Sequence, residues 1–158
     1  MKRLLIASIL LLTVSFVFSQ KATLKEYTKN DGVTAVSIPK NMLLLFPKNS
    51  NITYGGINVA EFVDKLSDVN VFASRKDDVA SKLIKDATEY MKIGGYDNLV
   101  SMKTEKEETI NFYIKTTDEY ISELVLIVQR QSKESAVMQL MGKFTMEDIQ
   151  EMIASAGK

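Results

Sequence analysis

The spacing of apolar positions changes near residue 96, from a mostly helical period to a period of two. Within residues 59–66 the apolar side chains recur at i, i+3, i+4 and i+7, which is one stripe of a helix. A longer stripe of the same kind spans residues 79–91 and stops at a pair of glycines. Two shorter helices are predicted at residues 22–30 and, after a proline, at residues 40–46. The first half of the chain is therefore predicted to be mainly helical.

Alternation of apolar and polar residues predicts four strands in the second half, at 98–103, 110–115, 121–130 and 135–143. The segments that join them, TEKEE, TTDE and QSKE, are short and polar, as in an antiparallel meander. Two earlier strands, VTAVSI and VNVFAS, follow from their β-branched residues. A capping box of Thr145 and Asp148 predicts a last helix.

Runs of strands beside separate helices indicate the α+β class. We predict a mixed sheet that ends in a four-stranded antiparallel meander, with the helices packed mainly on one face. The segment ISELVLIVQ is apolar on both of its faces, so it should form a central strand covered on both sides. If helices cover only one side, then a partner, a ligand or a second copy is needed to cover the other. Glu123 within this segment is predicted to be partly buried and paired near the strand end.

The N-terminus has the layout of a secretory signal peptide. Lys2 and Arg3 precede an uncharged apolar run at residues 4–18, and Val17 and Ser19 suit the −3 and −1 positions of a cleavage site. The run is shorter than the roughly 20 residues of a spanning helix, which favours a cleaved signal over the alternative of a membrane anchor.

We therefore predict that residues 1–19 are removed and that residues 20–158 form a single α+β domain without a stable membrane span. The domain would be exported, either periplasmic or secreted. The chain has no cysteine to carry a lipid, so it should not be a lipoprotein. Without Lys2 and Arg3, the remaining basic residues fall two short of the 20 acidic ones, which gives no general attraction for nucleic acid.

The absence of histidine and cysteine excludes ordinary zinc sites and Ser–His or Cys–His dyads. No calcium-loop pattern is present, and we predict no metal and no cofactor. The one catalytic pattern is Ser37-Ile38-Pro39-Lys40, an S-x-x-K spacing in which Lys40 would act as base for a Ser37 nucleophile. The alternative is that Ser37 caps a helix and Lys40 lies on its solvated side. The S-D-N element that accompanies this pattern in serine acyl-enzymes is missing.

The segments GVTAVSIPKNML, VNVFAS, YDNLVSMK, ISELVLIVQ and MQLMGKFTMEDIQEM occur in this order, and together they resemble the bacterial family of domain of unknown function 4252, found mainly in Bacteroidota. The resemblance covers roughly residues 22–153. The family has no assigned activity, so it implies no catalytic residues. It implies an exported, envelope-associated protein, although this chain lacks the lipobox cysteine of many members.

The leading hypothesis is a non-enzymatic exported domain that binds an envelope protein or a small apolar ligand. The second hypothesis is a small Ser–Lys hydrolase that uses Ser37 and Lys40. A third is an envelope stress or regulatory component. The sequence leaves the oligomeric state open.

Overall fold

The computed structural model describes residues 23–47, 50–104 and 107–156, so the predicted signal peptide lies outside the described residues. The helices are α1 (Leu24–Tyr27), α2 (Lys40–Leu43), α3 (Asp77–Gly94) and α4 (Met146–Ala156), with a 3₁₀ turn at Val59–Phe62. The strands are β1 (Thr34–Pro39), β2 (Thr53–Tyr54), β3 (Ile57–Asn58), β4 (Leu66–Ser74), β5 (Asp97–Lys103), β6 (Thr109–Thr116), β7 (Ile121–Gln129) and β8 (Ser135–Phe144). The predicted α+β class is confirmed.

Six strands form one sheet in the order β1-β4-β8-β7-β6-β5, and every neighbouring pair is antiparallel. The predicted meander, β5 to β8, is confirmed. The predicted mixed sheet is wrong, because α3 does not return the chain to a strand beside β4, as a parallel crossover would. It carries the chain from β4 to β5 at the far edge of the sheet, and the meander then returns to place β8 against β4.

Both faces of the sheet are covered, so the prediction of helices mainly on one face is also wrong. On the first face, called here the α3 face, Leu83 and Met91 of α3 belong to one buried cluster with Val125 and Val137 of the sheet. On the second face the 3₁₀ turn, the β2–β3 hairpin, α2 and α4 bury a larger cluster around Leu126 and Met138. The apolar residues on both sides of β7 are thus explained within the chain.

The ends of α3 and α4 follow from local sequence. Gly95 adopts φ +69° after α3, and the N–H of Tyr96 donates to the carbonyl of Met91 at 3.1 Å. At α4 the predicted capping box is present: the N–H of Asp148 donates to Thr145 Oγ1 at 3.2 Å, and the N–H of Thr145 donates to Asp148 Oδ2 at 2.7 Å.

Between residues 50 and 66 one local prediction is wrong and one hairpin was not predicted. The helix predicted over residues 59–66 is only a 3₁₀ turn, because Leu66 already begins β4 and pairs with Gly142. The β2–β3 hairpin was not predicted. Its turn is Gly55-Gly56, with φ +57° and +85°, the left-handed conformation that tight hairpins require.

Candidate functional site

The structure separates the two residues of the S-x-x-K pattern into different roles. Ser37 lies in β1, where its hydroxyl donates to Oδ1 of Asn70 on the neighbouring strand. Lys40 is the first residue of α2, and Pro39 occupies the N-cap position, so Ser37 is not a helix cap. The contact with Asn70 gives Ser37 a structural explanation that needs no catalytic partner, while the hydrolase hypothesis stays a prediction.

Ser37 is one end of a line of hydrogen-bonded side chains, called here the polar row, which crosses the α3 face beyond the C-terminal end of α3. It consists of Ser37, Asn70, Gln139, Glu123 and Tyr96. Asn70 Nδ2 donates to Gln139 Oε1 at 3.1 Å, and Gln139 Nε2 donates to Glu123 Oε2 at 2.7 Å. The hydroxyl of Tyr96 donates to the same carboxylate oxygen at 2.5 Å. Every donor in the row thus points toward Glu123.

The carboxylate of Glu123 is the centre of this row, because the residues that donate to it are buried. Tyr96 and Gln139 are buried, with 9% and 6% of their surface exposed, and their donors converge on half-buried Glu123. Lys115, paired with Glu123 across β6 and β7, places its ammonium 5.0 Å from the centre of the Tyr96 ring. The prediction of a partly buried, paired Glu123 is confirmed. The phenol of Tyr96 and the amide of Gln139 orient and hold the carboxylate.

The sequence contains only a weak signal for this row. Asn70 interrupts the β-branched strand VNVFAS, and Tyr96 follows the two glycines that end α3. Neither residue was predicted to belong to a site, because the row depends on which strands become neighbours in the sheet.

Alkaline pH should destabilise the fold through its buried tyrosines. Burial, then the hydrogen bond and charge of Glu123, raise the pKa of Tyr96 well above its ordinary value. Burial, then the charge of Glu134, raises the pKa of Tyr54 to about 12. Because both folded pKa values exceed those of the unfolded chain, the stabilisation is complete below about pH 10 and is lost as the pH rises further. We expect the free energy of unfolding to fall by up to about 1.4 kcal/mol per pH unit for each tyrosine above that pH.

The measurement is denaturation at a series of alkaline pH values, with Tyr96→Phe for comparison. The free energy of unfolding of the variant should decline less steeply as the pH rises. The tyrosinate absorbance of the folded variant at about pH 11 should equal that of the unmodified protein. A loss of folded-state absorbance in Tyr96→Phe would contradict the assignment.

The second feature is an apolar cavity of about 120 Å³ on the face opposite α3. It lies between the β1–β4 side of the sheet, α2 with its following turn, the β2–β3 hairpin and the 3₁₀ turn. Its lining is almost entirely apolar: Ile38, Leu43, Phe46, Ile52, Thr53, Tyr54, Val59, Ala60, Val63, Val69, Val71 and Met138. The chain thus closes the second sheet face but leaves a gap in its packing at this side.

Apolar side chains also continue outward from the cavity. Phe46 lines it and is 38% exposed, and the neighbouring Leu44 and Leu45 are 57% and 73% exposed. Met42 on α2 is 48% exposed. This set, Met42, Leu44, Leu45 and Phe46, is called here the apolar rim. Exposed apolar side chains that adjoin an apolar cavity are typical of a surface that binds something.

One polar atom of a cavity-lining residue lacks a partner. The hydroxyl of Tyr54 is buried, and it makes no hydrogen bond to any described residue. A buried hydroxyl without a partner costs on the order of 1–3 kcal/mol. The hydroxyl is fully enclosed by protein, so an occupant of the cavity does not contact it.

A larger cavity of about 280 Å³ beside the start of α3 has a different character. Its lining is mainly polar and includes Asp77, Ser81, Arg130 and Ser135. Arg130 Nε donates to Glu108 at 2.8 Å, and Ser135 Oγ accepts the N–H of Arg130 at 2.9 Å, so these groups serve the β7–β8 turn. Within residues 23–47, 50–104 and 107–156, no group of three or more acidic side chains is placed to hold a metal ion. No helix in the described part of the chain is both long and apolar enough to span a membrane.

Comparison with known proteins gives one result that bears on identity. The family model described as Domain of unknown function (DUF4252) matches residues 27–152, which is most of the chain and includes β1 to β8 together with most of α4. No curated protein and no solved structure matches this chain. The match confirms the resemblance found in the strand and helix segments, and the chain belongs to the DUF4252 family.

Proposed function

We propose that the protein is a non-enzymatic binding domain, exported to the periplasm or secreted, that takes an apolar group of its partner into the apolar cavity. The observation that carries the proposal is the continuity of the cavity with the apolar rim, where Leu45 is 73% exposed. The leucines next to this apolar gap are exposed to water in the free protein. An occupant of the cavity would bury them, which is favourable. Export rests on the basic and apolar pattern of the N-terminus.

The size of the cavity limits what can enter. Pockets for drug-sized ligands measure about 300–1,000 Å³, whereas an apolar cavity of about 150 Å³ accommodates a benzene molecule. A space of about 120 Å³ therefore fits the end of an aliphatic chain or a single leucine-sized side chain. The rest of the partner would lie across the apolar rim. This arrangement favours an acyl chain end or one apolar anchor of an envelope protein over a whole small molecule.

Binding of a fluorescent polyene fatty acid is the first test. We expect saturable binding that Val71→Phe weakens about tenfold or more, because the added ring fills the cavity, a change of about 1.4 kcal/mol. Leu45→Asp on the apolar rim should weaken binding by a similar factor, since it places a charge where the ligand crosses the surface.

The matched control is Ile93→Asp. Ile93 lies on α3, on the other side of the sheet, and is 65% exposed, so the substitution changes apolar surface and charge in the same way. It should leave binding unchanged. Equal losses in Leu45→Asp and Ile93→Asp, or full binding by Val71→Phe, would show that the probe adheres to general apolar surface and would overturn the proposal.

A further inference from the structure

A groove lined mainly by polar groups, called here the polar groove, lies between the start of α3 and the turn that joins β7 to β8. Its main part is the cavity of about 280 Å³. One wall is a stripe along the first two turns of α3: Asp77, Ala80, Ser81 and Ile84. The other wall comes from the end of β7, the turn and the start of β8. A smaller cavity of about 150 Å³ adjoins it, since Gln129 and Gln131 line both.

Both walls of the polar groove are held in place by contacts outside it. Leu83 and Ala87 of α3 are fully buried against the sheet. In the turn, Ser135 Oγ accepts the N–H of Arg130 at 2.9 Å and donates to the carbonyl of Arg130 at 3.2 Å. Arg130 Nε donates to Glu108 at 2.8 Å, which ties the turn to the start of β6. The polar groove is therefore formed before any ligand enters, as is usual for binding sites.

Other polar side chains of the polar groove remain free to bind. Those of Ser81, Gln129 and Gln131 are exposed, and they make no hydrogen bond to any described residue. Each glutamine amide has two donors and an acceptor oxygen, and the serine hydroxyl both donates and accepts. The carboxylate of Asp77 adds acceptors at one end. A ligand in the polar groove thus meets donors and acceptors side by side.

The charges along the polar groove balance. The lining of the larger cavity includes one acidic and one basic residue, Asp77 and Arg130. The lining of the smaller cavity likewise includes Glu107 and Lys103. Since neither sign dominates, the polar groove does not select an anion or a cation.

We propose that the polar groove binds a neutral carbohydrate. Each hydroxyl group of a sugar is both a donor and an acceptor, so it matches a lining of amides and hydroxyls, while the C–H groups of the ring lie against Ala80 and Ile84. These two residues are too small an apolar surface to anchor a peptide side chain.

The volume of the larger cavity agrees with one sugar unit. An apolar cavity of about 150 Å³ accommodates the six carbon atoms of benzene. In the same proportion, a cavity of about 280 Å³ accommodates the roughly twelve non-hydrogen atoms of a hexose. A second unit would extend past Gln129 and Gln131 into the smaller cavity.

NMR titration with three neutral trisaccharides, maltotriose, cellotriose and chitotriose, tests the proposal on the protein expressed from the full sequence. We expect at least one of them to cause saturable shifts of the side-chain NH₂ groups of Gln129 and Gln131 and of the backbone amide of Ser81, with half-saturation at about 5 mM or below. Inorganic phosphate is the charged probe, and it should cause no saturable shift of these groups.

Gln131→Ala and Gln150→Ala form a matched pair. Gln131 lines both cavities, so its loss should weaken sugar binding about fivefold or more. Gln150 is also exposed but lies on α4, which covers the opposite face, so its substitution should leave binding unchanged.

Three results would each overturn the proposal: no shift of these groups by any of the sugars at about 20 mM, equal affinities of the two variants, or saturable binding of phosphate. Because the polar groove and the apolar cavity lie on opposite faces of the sheet, sugar binding can fail while fatty-acid binding succeeds, and the reverse.

Discussion

Gly142→Ala is expected to lower the free energy of unfolding by about 3 kcal/mol or more, although it adds only one methyl group. A Cβ at Gly142 would lie 2.2 Å from the backbone carbonyl oxygen of Lys65 and 3.0 Å from Cζ of Phe144. The carbonyl cannot move away freely, since it accepts the N–H of Lys143 at 3.1 Å. The side chain of Lys65 is also fixed, because its ammonium pairs with Asp148 of α4.

The substitution should therefore strain the junction between β4, β8 and α4 at once. Burial alone would raise the pKa of Asp148, but the hydrogen bonds from Lys65 and Thr145 hold it below its ordinary value, which shows how closely these groups are joined. Chemical denaturation measures the effect. Gly95→Ala is the matched control: its Cβ would meet nothing within 4 Å, and only its φ of +69° costs about 1 kcal/mol. Equal losses for the two variants would contradict the close contact at Gly142.

Glu123→Ala is the second large effect, expected at about 3 kcal/mol. The variant removes the acceptor of two buried donors, the hydroxyl of Tyr96 and the amide of Gln139. Hydrogen bonds to a charged group contribute about 1.5–3 kcal/mol, and donors left buried without a partner add to the loss. Gln139 would also lose its fixed orientation, on which its contact with Asn70 depends.

Glu123→Gln separates charge from hydrogen bonding. It keeps an acceptor for Tyr96, so its cost should be about half that of alanine. Glu119→Ala, an exposed glutamate just before β7, should change stability by less than about 0.5 kcal/mol. If Glu123→Ala proved as mild as Glu119→Ala, the polar row would have no part in holding the α3 face.

The sequence predicted those parts of the fold that depend on local pattern. The alternating second half became the meander, and the capping box at Thr145 became the start of α4. The length of α3 followed from its apolar stripe and its glycines. Each of these depends on neighbours within a few residues, which is the range over which periodicity and capping act.

Features that depend on strand order were not predicted. The covering of the second face was not predicted. Apart from α4, its helical elements are α2 and the 3₁₀ turn, which have four residues each and are stabilised by tertiary packing rather than by propensity. The polar row joins residues from β1, β4, β8 and β7, with Asn70 and Gln139 69 positions apart in sequence. The apolar cavity likewise exists only where β1 and β4 meet the hairpin. The apolar residues near Phe46 are evident in the sequence, but their pattern predicts the buried face of an ordinary helix.

Methyl NMR of the protein during titration with decanoate shows whether the apolar cavity receives an apolar group. We expect saturable shifts for the methyl groups of Ile38, Val63 and Val71, which line the cavity. The methyl groups of Val125 and Val137, buried under α3, should not shift. Shifts that fail to saturate, or that are largest under α3, would show that the apolar cavity is not the binding site.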